Sequence, residues 1–338
     1  MENSPEFRTR EDQLCEYLES NSKDFLFDEF SPEYLEDMGL DFLKGVAVPF
    51  RATDMVELQE KGIDPSSIVD NMAMVIGSNT KFPYANQYMK YMAKFFNEHL
   101  IDVFCSNGAN DLVNKNFRIA CAYYRMALML DSKNLMAMFG YACTCREWYL
   151  DLEGEDGVDE LITLLKSEAT AYYEWAIIEH PQFAPSYYYL GFAYLNAALY
   201  SKAQFIWQRF IELSPDETKP EVQEIKDRVQ ELVDPAKIEE GVNKLTTGDI
   251  EGGLKILEPY VDSQYGNWWP LHFYLASAYR ELDHPQEAIE GFKKVMSLDA
   301  SNYDACVALA ELYEEAGDEQ NHTKYAKKAE IILQNREN

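Results

Sequence analysis

Apolar residues in the C-terminal third of the chain fall into paired stripes of helical period. Between Trp269 and Asn302, the residues His272, Leu275, Ala276 and Tyr279 share one face of a helix. The turn Asp283-His284-Pro285 follows. Ala288, Phe292 and Val295 then line one face of a second helix, which ends at Leu298-Asp299. Neither helix can bury its stripe alone, whereas antiparallel pairs stacked on their neighbours can. Ala276 and Ala288 stand where two backbones must approach closely, and Tyr279 and Phe292 fill the space beside them.

The same grid recurs along the chain. From Ala184 it gives Tyr187, Leu190, Gly191 and Tyr194, then Ala203, Trp207, Phe210 and Pro215. From Tyr303 it gives Cys306, Leu309, Ala310, Tyr313, the turn Gly317-Asp318, then Ala326 and Ala329, with His322 at a usual small-residue position. A looser copy spans 101–134, with Ala120, Tyr124 and Ala127. Another runs from Asp234 to Trp268, with Gly241, the turn Gly248-Asp249 and about one residue extra in its second helix. From Leu135 the grid gives Met138, Tyr141, Ala142 and Cys145. It resumes at Ala169, Tyr173, Ala176 and Pro181 after about 15 inserted residues. Aromatic, Leu-Gly, aromatic, Ala, aromatic, Ala and Pro in this order over about 34 residues resemble the tetratricopeptide repeat (TPR) family. The resemblance covers six units, 101–336. It implies an all-α solenoid of antiparallel helix pairs in a right-handed superhelix.

Two interruptions stand out. The acidic insertion near 148–163 contains Asp151 to Glu160. Counted from Asp151 as a calcium loop, the sixth position is Asp156 and the twelfth Ile162, where such a loop needs Gly and Glu. A solvated acidic turn is expected. Between the blocks 101–217 and 234–336, the residues Val222, Ile225, Val229 and Leu232 predict one extra connecting helix over 218–233, with Glu224 and Arg228 paired on its polar side. Residues 1–100 carry no repeat and read as an acidic, mostly helical N-terminal cap. Asn21-Ser22 and Ser31-Pro32 predict helix starts, Gly45 to Pro49 a short extended piece, and Asp64-Pro65 to Ile76 a helix. Pro83 to Ser106 predicts one long helix carrying Tyr84, Tyr88, Tyr91, Phe95 and Phe96. The segment either covers the exposed face of the first repeat or folds over the groove as a partner-binding or self-inhibiting element.

Charge narrows the function. The chain has 338 residues and a net charge of -29, from 30 Lys and Arg against 59 Asp and Glu. Residues 1–80 alone hold 18 acids against 6 bases. Such a field repels phosphate backbones and anionic lipid, so neither nucleic acid nor a membrane is an expected partner. No stretch approaches the roughly 20 apolar residues of a membrane-spanning helix. The start, Met1 to Glu16, lacks the apolar core of a signal peptide, which predicts a cytoplasmic location. The six cysteines are irregularly spaced, and Cys143-x-Cys145 has no second pair to complete a zinc site, so reduced structural thiols are expected.

No enzyme motif is legible. The histidines His99, His180, His272, His284 and His322 are too far apart for a zinc-type pair. Gly252-Gly253 lies in a repeat helix, not after a strand, and no nucleophile elbow or phosphate-cradling loop is present. The expected class is therefore a non-catalytic protein-binding module without cofactor or metal.

The TPR resemblance implies that the first helix of each unit lines a concave groove. Carried over unit by unit, this assigns Met136, Phe139 and Arg146, then Pro185, Tyr188, Phe192 and Leu195 with Asn196 beside them, then Pro235, Ile238, Val242 and Leu245. The fifth unit gives Pro270, Phe273, Ser277 and Arg280 with Tyr274 nearby, and the last gives Asp304, Val307, Glu311 and Glu314. These aromatic side chains either contact a ligand or pack against the next unit. Chaperone-binding TPR proteins hold a C-terminal carboxylate with Lys, Arg and Asn at groove positions. Tyr188, Phe192, Pro270 and Tyr274 stand there instead, which favours an apolar or basic protein or peptide segment. An adaptor is the leading reading. A peptide-responsive sensor and a secretion-type chaperone for an unfolded client are the alternatives, and no oligomeric state follows from the pattern.

Overall fold

The computed structural model describes residues 12–51, 64–96, 99–214 and 216–336. The first eleven residues of the expected signal-free start, and Pro215 of the third repeat, lie outside them. By its contacts the chain divides into two units. The first holds 12–196 and 209–214, the second 197–208 and 216–336.

The first unit opens with α1 (Cys15–Leu18), a 3-10 turn Glu19–Ser22, and the strands β1 (Leu26–Asp28) and β2 (Val48–Phe50), which flank α2 (Pro32–Met38). The strands pair antiparallel with Leu26 opposite Phe50. Next come α3 (Pro65–Ser78) and α4 (Ala85–Phe95). The repeats follow as α5 (Leu100–Val113) with α6 (Phe117–Leu130), α7 (Leu135–Leu152) with α8 (Asp159–Glu179), and α9 (Ala184–Asn196); of α10 (Tyr200–Leu213), the residues from Arg209 belong to this unit and those up to Gln208 to the second.

Local chemistry sets the N-terminal boundaries. Ser31 caps α2 by accepting from Tyr34 N at 3.2 Å, Pro32 occupies the first turn, and Gly39 closes the helix at φ 59°. Lys94 Nζ donates to Gly39 O at 2.7 Å, placing a cation at the negative end of α2. Asp64 caps α3, which is buried from Met72 to Ser78 without a polar face. Helix α3 lies against α6 so closely that a Cβ on Gly77 would stand 2.1 Å from Ala122 O. The Arg125 side chain, 1% exposed on α6, is paired with Asp12, which also accepts from Thr80 Oγ1 at 2.8 Å. Within the repeats, the Tyr124 ring wedges between α5 and α7, where only Gly108 and Gly140 leave room for it.

In the second unit α11 (Pro220–Glu231) precedes α12 (Val233–Thr246) with α13 (Ile250–Leu257), α14 (Trp269–Glu281) with α15 (Pro285–Leu298), and α16 (Tyr303–Glu315) with α17 (Glu319–Arg336). Ile238, Leu254, Leu257, Leu271, Leu275 and Ala278 form one core, and Ala276, Ala288, Phe292, Cys306, Leu309 and Tyr313 belong to the next. The repeating grid points inward as its spacing requires: Ala142, Ala276 and Ala288 are fully buried, as are Tyr141, Trp207 and Cys306. Paired antiparallel helices with a seam of small residues form an all-α array of helical repeats, the architecture that the resemblance implied.

Four expectations change. The single helix expected over Pro83 to Ser106 is broken at Phe96, whose backbone is extended (φ -139°, ψ 106°). At roughly 100° per residue a continuous helix would turn Phe104 away from the side occupied by Tyr88. Yet Tyr88 must reach Ala47 O, to which its hydroxyl donates at 2.6 Å, while Phe104 is buried against Tyr123 of the first repeat. No α-helix begins at Asn21-Ser22. The Asn21 amide instead donates to Ser78 Oγ at 3.1 Å and to Arg118 O at 3.0 Å. The inserted residues form no long loop but lengthen the second pair, to 18 and 21 residues against 14 and 14 in the first. Only Glu153 to Val158 remain as the turn, with Gly154 and Gly157 at positive φ. The second helix of the fourth pair is shorter than expected, ending at Leu257 before Pro259 and continuing as 3-10 turns.

Gly77→Ala is expected to lower the stability of the first unit by about 1–3 kcal/mol, read as an earlier urea midpoint for its transition. An unchanged midpoint would mean that α3 and α6 are not in this contact.

Candidate functional site

In the first unit the site is built on α7 and α9. Asn134 starts α7 by accepting from Ala137 N at 3.0 Å, and the helix then carries Phe139 and Arg146 seven positions apart on one side. On α9, Tyr188, Phe192 and Asn196 recur every four positions. Phe139 meets Phe183 at 5.1 Å between ring centroids, Tyr189 at 5.8 Å and Tyr173 at 6.0 Å. Tyr189 stacks on Tyr173 at 5.7 Å and meets the edge of Tyr188 at 5.2 Å. Tyr188 in turn contacts Phe192 at 5.0 Å and Phe210 at 5.3 Å. The Arg146 guanidinium lies over Tyr189 at 5.2 Å.

Phe139, Tyr189, Tyr188 and Phe192 thus form one continuous strip, each ring half-buried. Asn196 is exposed at its end, and Met136 is 60% exposed. The strip is neither closed core nor free surface: each residue packs on its neighbours and remains partly exposed. Tyr189 links Phe139 to Tyr188 and was not among the expected groove residues. The signal for it is the run Tyr187-Tyr188-Tyr189, since consecutive helical residues point roughly 100° apart and three tyrosines cover more than one face.

The expected residues of the second unit divide differently. Phe273 packs on Phe292 at 5.4 Å and Trp269 at 6.3 Å and joins the core of α15 to α17. Tyr274, its chain neighbour, packs on the core that includes Ile238 and Leu254. The two rings therefore serve different cores. Arg280 and Glu311 do come together: Arg280 Nη1 donates to Glu311 Oε2 at 2.8 Å and Nη2 to Glu315 Oε1 at 3.3 Å. This pair joins α14 to α16 and neutralises part of the acidic face expected there. Ser277 Oγ is turned back onto Phe273 O of its own helix at 2.9 Å.

The remaining candidate chemistry has structural partners. All six cysteines are free thiols, and burial pushes Cys105 and Cys143 up to about 11, so both stay protonated at neutral pH. His180, His272 and His322 each face a backbone carbonyl, of Lys133, Gly266 and Ala310. Among the described residues, no three His, Cys, Asp or Glu side chains are grouped to hold a metal ion. No helix of the described residues is long and apolar enough to cross a membrane.

No protein-family model and no curated protein sequence matches the chain. Solved structures of low identity do. A tetratricopeptide repeat protein from Parabacteroides merdae is 15% identical with a TM-score of 0.32, over 82% of this chain and 90% of its own. MamA from Desulfovibrio magneticus is 16% identical with a TM-score of 0.36, over 58% and 97%. YrrB, described as a TPR protein with an unusual peptide-binding site, is 16% identical with a TM-score of 0.31, over 62% and 91%. At these scores the repeat type rests on the spacing and packing described above.

Alkali tests the packing of the strip and of the core beneath it. Burial raises Tyr173 and Tyr189 above the ordinary tyrosine value of 10.0, as it does Tyr88, Tyr123 and Tyr124. Below pH 10 both folded and unfolded chains keep these protons. Above it the unfolded chain releases them first, so stability falls as pH rises toward the folded-state values. The part of the tyrosinate absorbance that belongs to these five residues is expected to appear only as far-UV circular dichroism is lost. Ordinary titration of these five with the helices intact, followed by the ring resonances of each, would contradict the packing.

Proposed function

We propose that the chain is a non-catalytic adaptor whose first unit holds an apolar or basic segment of a partner protein along the strip Phe139, Tyr189, Tyr188 and Phe192. The observation that carries this reading is the half-buried state of four contiguous rings. Rings already held by neighbours lose little freedom on binding, and each remains partly exposed for a partner to touch. The exposed Asn196 and Met136 extend the strip with an amide and a flexible apolar side chain. Arg146 over Tyr189 adds one cation, so a partner side chain beside it is apolar or acidic, while basic residues suit the acidic surroundings. Nucleic acid and anionic membranes remain disfavoured by the net charge of -29. The cytoplasmic setting expected from the sequence suits free cysteines.

The test compares wild type with Tyr188→Ala/Phe192→Ala and with Phe192→Leu in capture from native lysate, read by mass spectrometry after both variants are shown to be helical. A specific partner is expected to be retained by wild type and Phe192→Leu and lost at least about tenfold by the double variant, the loss of two aromatic anchors. Equal recovery by all three would make the strip a packing element and sink the proposal.

A further inference from the structure

The second unit presents an aromatic surface that its helix pairs cover only in part. Between α13 and α14 the chain passes through two 3-10 turns, Glu258–Asp262 and Gln264–Asn267, and enters α14 at Trp268-Trp269-Pro270. Trp268 is 41% exposed, Trp269 37% and Val261 37%, whereas Trp148 and Trp207 are buried.

This connection is tightly held. Trp268 N donates to Tyr265 O at 2.8 Å, and Ser263 Oγ accepts from Tyr265 N at 3.1 Å. The buried His272 ring meets Gly266 O at 2.8 Å. At Gly266 a Cβ would stand 2.1 Å from Val261 O, so the two turns close on each other with no space for a side chain. Tyr260 and Tyr265 pack edge to face at 5.8 Å, and the Tyr260 hydroxyl donates to Asp234 at 3.3 Å. Tyr279 ties Glu258 from α14, donating at 2.6 Å. A segment with this much internal bonding has little freedom left, yet it leaves Trp268 and Trp269 partly exposed, Trp269 also meeting the Phe273 ring. Ordered, exposed aromatic rings are efficient anchors because little entropy remains to be lost on contact.

Charge selects the partner. From Ile256 to Tyr279 there is no Lys or Arg, while Glu258 and the exposed Asp262 are acidic. An indole face attracts a guanidinium or ammonium group, and a nearby carboxylate reinforces it. We propose that Trp268 and Trp269, with Asp262 as counter-charge, form a docking site for an arginine-bearing basic segment of another protein. The site lies in the connection between two repeats, not along the aromatic strip of the first unit, so each proposal can fail without the other.

The test uses the full chain and a short fluorescent peptide of alternating Arg and Ala, with Lys-Ala and Glu-Ala peptides beside it, read by anisotropy at physiological salt. The Arg peptide is expected to bind tightest, and the Glu peptide not at all. Trp268→Ala/Trp269→Ala is expected to weaken the Arg peptide at least about tenfold, and Asp262→Asn by about threefold, whereas Trp268→Phe/Trp269→Phe stays within about threefold of wild type. In wild type the unlabelled Arg peptide is expected to shield tryptophan fluorescence from acrylamide, a readout that needs no variant. Equal affinity of wild type and the Ala variant would show attraction to net charge alone and overturn the site. Binding without shielding would also overturn it, as would no binding.

Discussion

Close approach between small residues on paired helices is the constraint from which the rest of the structure follows. A helix with one apolar stripe gains little by forming alone, so each pair must bring two backbones near enough for both stripes to leave water together. Ala142, Ala276 and Ala288 are fully buried for that reason, and the aromatic residues beside them fill what they leave open. The same rule extends to the N-terminal segment, where Gly77 admits the backbone of Ala122 and α3 is covered from Met72 to Ser78. Segments without repeat periodicity thus use the packing device of the repeats themselves.

Acidic charge is tolerated because it stays at the surface. Most ion pairs among the described residues are exposed, such as Lys237 with Glu240 and Lys133 with Glu179, and pairs of that kind contribute little to stability. Arg125 with Asp12 differs in being buried, the cation coming from a repeat helix and the carboxylate from the start of the described chain. Breaking such a pair leaves a charge without solvent, which makes it a specific tie between segments far apart in sequence.

The two aromatic surfaces are exposed for different physical reasons. The strip of the first unit is a set of rings that rest on one another, so its shape depends on the spacing of α7 and α9. The tryptophans of the second unit are fixed by backbone hydrogen bonds in the turns that precede α14, and owe their position to that connection. One surface is therefore tuned by helix packing and the other by loop geometry.

Helical period, small residues at fixed spacings and the turns between stripes were legible in the sequence, because they are local and repeat across the chain. The caps at Ser31 and Asp64 were legible for the same reason. The break at Phe96 was not. It arises because Tyr88 and Phe104 are claimed by different parts of the core, which no local pattern reveals. Asn21 reads as a helix start, but its amide is used by Ser78 and Arg118, distant in sequence. The acidic insertion was visible as extra length, whereas its absorption into two longer helices depended on their packing together. Helical period turns Phe273 and Tyr274 roughly 100° apart, but that each meets a different core depends on where the neighbouring pairs pack. Sequence by itself determined the repeat and the sign of the surface, since both are sums over local residues. Tertiary structure decided which aromatic side chains stay partly exposed, since that depends on what packs beside each ring.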